Sequence, residues 1–178
     1  MSNEDTFISK AKKEIKKRIK NETKSLEQLK TEEEELINAL KGYSDFDEEL
    51  EKFLDESCKD FNLDKEKLPE YFKSNINEVY QNYSQIRKDA LDEIIILKKY
   101  IEKIKKDSAA SQKTLKFYRS QDMDSDFFDE CIPLVEIIEE KLEIYQKNED
   151  MTLDIIKKLE QIHKKLEKWE WIYQFLSF

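Results

Sequence analysis

The near absence of glycine and proline constrains this chain more than any other feature of its sequence. Gly42 is the only glycine in 178 residues, and Pro69 and Pro133 are the only prolines. Sheet-based folds need many glycines at turns, where the backbone takes positive φ values. A chain rich in Glu, Lys, Leu and Ile with so few turn-forming residues is typical of long helices and coiled coils. The composition therefore predicts an all-α fold.

Apolar residues recur at the three- and four-residue spacing of amphipathic helices along most of the chain. The N-terminal part carries one such stripe, which Lys12, Glu22 and Glu33 interrupt: Ile8, Ile15, Ile19, Leu26, Leu29, Leu36 and Leu40. The central part carries a second: Phe72, Ile76, Val79, Tyr83, Ile86, Ala90, Ile94, Leu97, Ile101 and Ile104. The C-terminal part carries a third: Ile155, Leu159, Ile162, Leu166, Trp169, Tyr173 and Leu176. This periodicity argues against disorder, although the mean hydropathy is −0.85.

Capping residues place a boundary after the first stripe. The spacing predicts a first helix over about 4–41, which Gly42 ends as a left-handed C-terminal cap. Ser44 is a good N-cap for a separate short helix over about 44–61, whose acidic first turn suits the helix dipole.

Two further helices follow. Pro69 is suited to the first position of a long helix over about 69–119. An acidic linker precedes a C-terminal helix or helical hairpin over about 126–178. The pattern weakens at residues 107–111 and 146–152, and a bend, a break or a continuous helix is compatible with the sequence at both.

These elements predict a single helical domain over residues 1–178. Its expected architecture is an elongated, antiparallel, coiled-coil-like bundle of three long helices plus one short helix. Basic and acidic segments alternate along the chain, as antiparallel neighbours that pair across their seams require. Solvated faces with a chance distribution of charge are the other interpretation.

The charge of the chain narrows the range of partners. A net charge of −9 and only three arginines disfavour direct binding of nucleic acid, which needs an excess of cations. The first helix nevertheless carries a basic face: Lys12, Lys13, Lys16, Lys17, Arg18 and Lys20. This face is a candidate for anionic lipid or nucleic acid, or for the acidic segments of the same bundle. The net charge favours the bundle.

The sequence contains few residues in patterns typical of catalytic sites. His163 is the only histidine, and Cys58 and Cys131 form no CxxC pair. Alternate aspartates from Asp122 begin like a calcium loop, but the glycine and the glutamate that such a loop needs later are missing. We predict no catalytic, cofactor-binding or metal-binding residues, and no enzymatic activity.

The tail WEWIYQFLSF, residues 169–178, is the strongest candidate for a partner-binding site. Beside the stripe that Trp169 continues, it carries a second one: Trp171, Phe175 and Phe178. Apolar residues around most of a helix indicate burial on two sides. Either the aromatic face of the short helix covers this second stripe, or the stripe binds another chain, since Trp and Tyr are enriched at interface hot spots.

The sequence predicts a non-enzymatic protein–protein interaction protein: an adaptor, an assembly factor or a subunit of a larger complex. The partner would be another protein, or a second copy in a homodimer. One alternative is a small acidic inhibitor, of phage or mobile-element type, that presents carboxylates to a nucleic-acid enzyme as phosphate mimics. A second is a membrane-surface protein that uses the basic first helix, which the net charge disfavours. The sequence shows no transmembrane segment and no signal peptide, so we expect a cytoplasmic protein with free thiols.

Overall fold

Three long helices make up the fold. The computed structural model describes residues 3–59, 70–120 and 126–176, and within these ranges it contains no strand. The helices are α1 (Asn3–Lys59), α2 (Glu70–Arg119) and α3 (Asp126–Leu176). The predicted all-α class and helical bundle are confirmed. Across the same described residues, no helix is long and apolar enough to cross a membrane.

The separate short helix predicted over 44–61 does not form, because α1 continues through Gly42 to Lys59. A glycine inside a helix costs about 1 kcal/mol relative to alanine. Tertiary contacts beyond it offset this cost, because Leu50 is buried in the core and Asp47 pairs with lysines of α3. Asp47 therefore lies inside a continuous helix and not in the first turn of a new one.

Both weak points of the sequence pattern lie within unbroken helices. α2 passes through residues 107–111, and α3 passes through residues 146–152. At the second point the polar residues Asn148 and Thr152 are fully buried. Asn148 Nδ2 lies 3.5 Å from the carbonyl oxygen of Leu29 on α1, so a polar contact replaces the apolar one that the pattern lacks.

The described chain forms two compact units, each with a segment of all three helices. The first comprises residues 1–36 and 101–150, and the second comprises residues 37–100 and 151–178.

In the first unit, α1 and α3 run parallel to each other and α2 runs antiparallel to both. Lys12 pairs with Glu130 and, further along both helices, Glu22 pairs with Lys141. The core is mainly aliphatic, with one tyrosine and one cysteine: Ile15, Leu115, Tyr118, Cys131, Leu134 and Ile138.

The second unit has the same helix directions and an aromatic core. Its buried residues are Leu50, Leu54, Ile162, Leu166 and Trp169. Half-buried aromatic and aliphatic residues pack around them: Tyr43, Phe46, Phe53, Tyr83 and Ile86.

The predicted stripes form the buried seams in the described part of the chain. Their buried members are Ile15, Leu26, Leu29, Leu36, Ala90, Ile94, Leu97, Ile101, Ile104, Ile155, Leu159, Ile162, Leu166 and Trp169. Four further members are half-buried, namely Ile19, Leu40, Tyr83 and Ile86. Ile8 is exposed over 46% of its surface. Five stripe side chains lie outside the described part: Phe72, Ile76, Val79, Tyr173 and Leu176.

Candidate protein-binding surfaces

Three aromatic rings, one from each helix, meet in the second unit. Trp169 of α3 is fully buried, and its ring centroid lies 5.4 Å from that of Phe53 on α1 and 5.9 Å from that of Tyr83 on α2. The centroids of Phe53 and Tyr83 are 5.5 Å apart. All three pairs are edge-to-face, the arrangement that the ring quadrupoles favour. Trp169, the first residue of the aromatic tail, is therefore part of the core.

A polar clamp fastens α3 to α2 beside these rings. Arg87 Nε and Ser84 Oγ of α2 each donate a hydrogen bond of 2.9 Å to Glu170 Oε1. The ion pair of Arg87 with Glu170 is largely shielded from solvent. Charge-assisted hydrogen bonds at such partly buried positions are stronger than neutral ones. The helix that carries the C-terminal aromatic residues is thus held in a defined orientation up to Glu170.

Trp171 follows the clamp and is 63% exposed. Phe53 of α1 packs against Trp169. Phe46 and Phe53, which belong to the aromatic segment of α1, pack against the core cluster of the second unit. Phe175 belongs to α3, but its side-chain environment lies outside the described part of the chain, as does the whole of Phe178.

The predicted basic face of α1 is divided between internal pairs and exposed lysines. Lys12 Nζ lies 3.9 Å from Glu130 Oε1 of α3. Arg18 Nη1 donates a 2.5 Å hydrogen bond to the hydroxyl of Tyr118. This hydrogen bond, together with a smaller effect of the Glu14 charge, raises the pKa of Arg18. The other four members are exposed: Lys13, Lys16, Lys17 and Lys20. This face thus serves the bundle in part and leaves four cations at the surface.

A groove of about 480 Å³ opens between α1 and α2 in the second unit, and residues of α3 form its floor. Small residues create it, since Gly42 and Ala39 on α1 and Ala90 on α2 bring little side-chain volume. A Cβ atom added at Gly42 would meet no atom within 4 Å. The other apolar lining residues are Tyr43, Phe46, Ile86, Leu159 and Ile162.

Two carboxylates line the α2 side of this groove. Asp89 and Glu93 are one helical turn apart, and Gln85 Nε2 donates a 2.8 Å hydrogen bond to Asp89 Oδ1. Burial, and then the negative charge of Glu93, raise the pKa of the Tyr43 phenol above its ordinary value of 10.0. The groove therefore combines an apolar interior with a negative edge.

The residues considered for catalysis do not form a catalytic arrangement in the described part of the chain. Cys131 is a free, fully buried thiol. Its pKa is raised mainly by burial and, to a smaller extent, by the negative charge of Glu130. His163 Nδ1 lies 3.7 Å from Glu167 Oε1 on the same helix. Among the described residues, no cluster of three His, Cys, Asp or Glu side chains is arranged to hold a metal ion. The environment of Cys58 lies outside the described side chains.

The chain matches no protein-family model, no curated protein and no solved structure. Sequence reasoning identified Trp171 and the basic face but missed the groove. Its one available signal was Gly42 amid a helical pattern, which we interpreted as a helix end.

Proposed function

We propose that this protein is a non-enzymatic protein-binding bundle that uses the surface around Trp171, as an adaptor, an assembly factor or a subunit of a larger complex. The observation that carries this proposal is the contrast between Trp169, which is fully buried, and Trp171, which is 63% exposed. A large aromatic side chain held at the surface of a rigid helix is a common anchor of protein interfaces.

The polar clamp supports the same proposal. Glu170 is fastened to Arg87 and Ser84 immediately before Trp171, so the backbone that presents the indole is already ordered. An anchor that is ordered before binding loses less conformational entropy when the partner arrives. The free thiol of Cys131 is compatible with a reducing compartment, and we expect the partner to be met in the cytoplasm.

The experiment compares Trp171→Ala with a matched control, Phe117→Ala. Phe117 is also an exposed aromatic residue, with 58% of its surface accessible, and it lies on α2 in the first unit. A partner captured from the native host by the wild-type chain is purified, and its affinity for each variant is measured by calorimetry. Loss of an interface anchor of at least 2 kcal/mol would weaken binding by about thirtyfold for Trp171→Ala.

Phe117→Ala should bind like the wild type, and circular dichroism should show that both variants keep their helicity. Equal affinity of Trp171→Ala and the wild type would refute the proposal. A basic nucleic-acid enzyme as partner, bound independently of Trp171 and released by salt, would point instead to the inhibitor alternative.

A further inference from the structure

The beginning of α1 leaves apolar residues uncovered. Phe7 is 74% exposed, and Ile8 is 46% exposed although it continues the seam that is buried from Ile15 onward. Glu4 and Asp5 precede these two residues, and lysines follow them at Lys10, Lys12, Lys13 and Lys16. Of these, Lys13 and Lys16 are exposed. Residues 7–16, which we call the donor segment, therefore carry four lysines against one glutamate and present two apolar side chains at the surface.

The groove of the second unit has the complementary chemistry. Its floor and walls are apolar, its edge carries Asp89 and Glu93, and its volume of about 480 Å³ exceeds the needs of one aromatic side chain. Pockets of about 300–1,000 Å³ with apolar walls and a few polar groups are typical binding sites. An occupant suited to this groove brings apolar side chains with positive charges beside them.

We propose that the groove of one copy of the protein binds the donor segment of α1, residues 7–16, of a second copy. Phe7 and Ile8 enter the apolar interior, and the neighbouring lysines lie beside Asp89 and Glu93. The chain itself thus contains both halves of a contact, one in each unit. Because the contact joins two different surfaces, two copies form a closed dimer when each inserts its segment into the groove of the other. When the exchange is not mutual, successive copies form an open chain.

Charge complementarity favours a second copy over indiscriminate association. The net charge of −9 keeps copies apart in most orientations, whereas the basic donor segment and the acidic edge of the groove attract each other locally. Gly42 and Ala39 allow an incoming side chain to reach the backbone of α1, because neither fills the groove.

The first experiment reverses charges on the full-length chain and follows mass by sedimentation velocity over a range of concentrations. One variant carries Lys13→Glu with Lys16→Glu, and the other carries Asp89→Lys with Glu93→Lys. Each variant alone should remain monomeric, because its donor segment and its groove now have the same sign. An equimolar mixture should associate again, because each donor segment meets a groove of opposite sign in the other variant.

The second experiment fills the groove. Gly42→Leu places a side chain in the groove and should weaken self-association by at least about tenfold, a change of about 1.4 kcal/mol. Gly42→Ala is the matched control, since it raises helix propensity at the same position but leaves most of the volume open. Its self-association should stay within about threefold of the wild type.

Three outcomes would overturn the proposal. These are a wild-type chain that sediments as a monomer at every concentration, a mixture of charge-reversed variants that fails to associate, and a Gly42→Leu variant that associates as the wild type does. A monomeric wild type that binds phosphatidylserine vesicles, and loses this binding with Lys13→Glu and Lys16→Glu, would assign the segment to a membrane surface. Trp171→Ala should leave self-association unchanged, so this proposal and the proposed function are tested separately.

Discussion

The two units bury charge with opposite signs. In the first unit the buried group is a cation, because the Lys141 side chain is 5% exposed and its Nζ lies 2.5 Å from Glu22 Oε2. In the second unit the buried group is an anion, because the Asp47 side chain is 8% exposed. Lys165 Nζ lies 2.7 Å from Asp47 Oδ1, and Lys158 Nζ lies 3.5 Å from Oδ2. In both units the carboxylate belongs to α1 and the ammonium group to α3.

Both buried ion pairs fix the register of α1 against α3, whichever member of the pair is the buried one. The paired residues are separated by 119 positions for Glu22 with Lys141 and by 118 positions for Asp47 with Lys165. An apolar seam tolerates slippage by a turn or a heptad, because one Leu or Ile can replace another. A slipped register would leave Lys141 or Asp47 buried without its partner, which costs several kcal/mol. The two units thus use buried charge to select one register.

The apolar cores of the two units differ as well. Substitutions in these cores should have the largest effects on the free energy of unfolding. Trp169→Ala removes the central ring of the aromatic cluster in the second unit and should lower the free energy of unfolding by about 3–5 kcal/mol. Leu134→Ala, at an equally buried aliphatic position in the first unit, should cost about 2–5 kcal/mol. Urea unfolding measures both.

Hydrogen exchange read by mass spectrometry then separates the two units. Trp169→Ala should reduce protection first in residues 37–59 and 151–176, and Leu134→Ala should reduce it first in residues 3–36 and 126–150. Equal loss of protection in both units for either variant would show that they unfold as one, and the comparison between them would not extend to stability.

Removing the partner of the buried cation in the first unit should have the next largest effect on stability. Glu22→Ala leaves Lys141 without its carboxylate partner and should destabilise the fold by about 1–3 kcal/mol. Replacing both members with apolar residues, Glu22→Leu with Lys141→Met, should restore most of this stability, because no buried charge is left unpaired. Chemical denaturation of the two variants and the wild type provides the test. A double variant that is less stable than Glu22→Ala would contradict this account.

Removing the ion pairs of Lys165 in the second unit should have the smallest effect on stability, and the size of this effect should depend on pH. Burial acts to lower the pKa of Lys165, but hydrogen bonds and charge interactions with Asp47 and Glu51 outweigh it and raise the pKa above 10.5. Because the folded pKa is the higher one, the stabilisation is complete below pH 10.5 and is lost as the pH rises through the folded value.

Lys165→Gln should therefore be less stable than the wild type by about 0.5–1 kcal/mol near pH 8. This gap should narrow steadily as the pH rises above 10.5, measured as the difference between the urea midpoints of the two proteins at each pH. Lys168→Gln is the control, since Lys168 is exposed on the same helix. A gap that stays constant to pH 12 would show that the charge of Lys165 is not what stabilises this site.

Much of the fold could be predicted because a helix repeats the same environment every three or four residues. Ile155 to Trp169 were assigned to the core from spacing alone, and every member described there is buried. The helix end predicted at Gly42 is wrong, because contacts made by Leu50 and other residues further along α1 outweigh the local propensity of one glycine. The candidate site was predicted only in part, as Trp171 and the basic face.

By itself, the sequence determined the helical class, the three stripes and the scarcity of residues suited to tight turns, since these follow from residue types and spacing along one chain. Only the tertiary structure decided that Trp169 is enclosed while Trp171 is exposed, that Gly42 and Ala90 line a groove, and that Lys141 is buried beside Glu22. The physical reason is the same in each case. Periodicity defines the face of a helix on which a residue lies, whereas its burial depends on which other helix packs against that face.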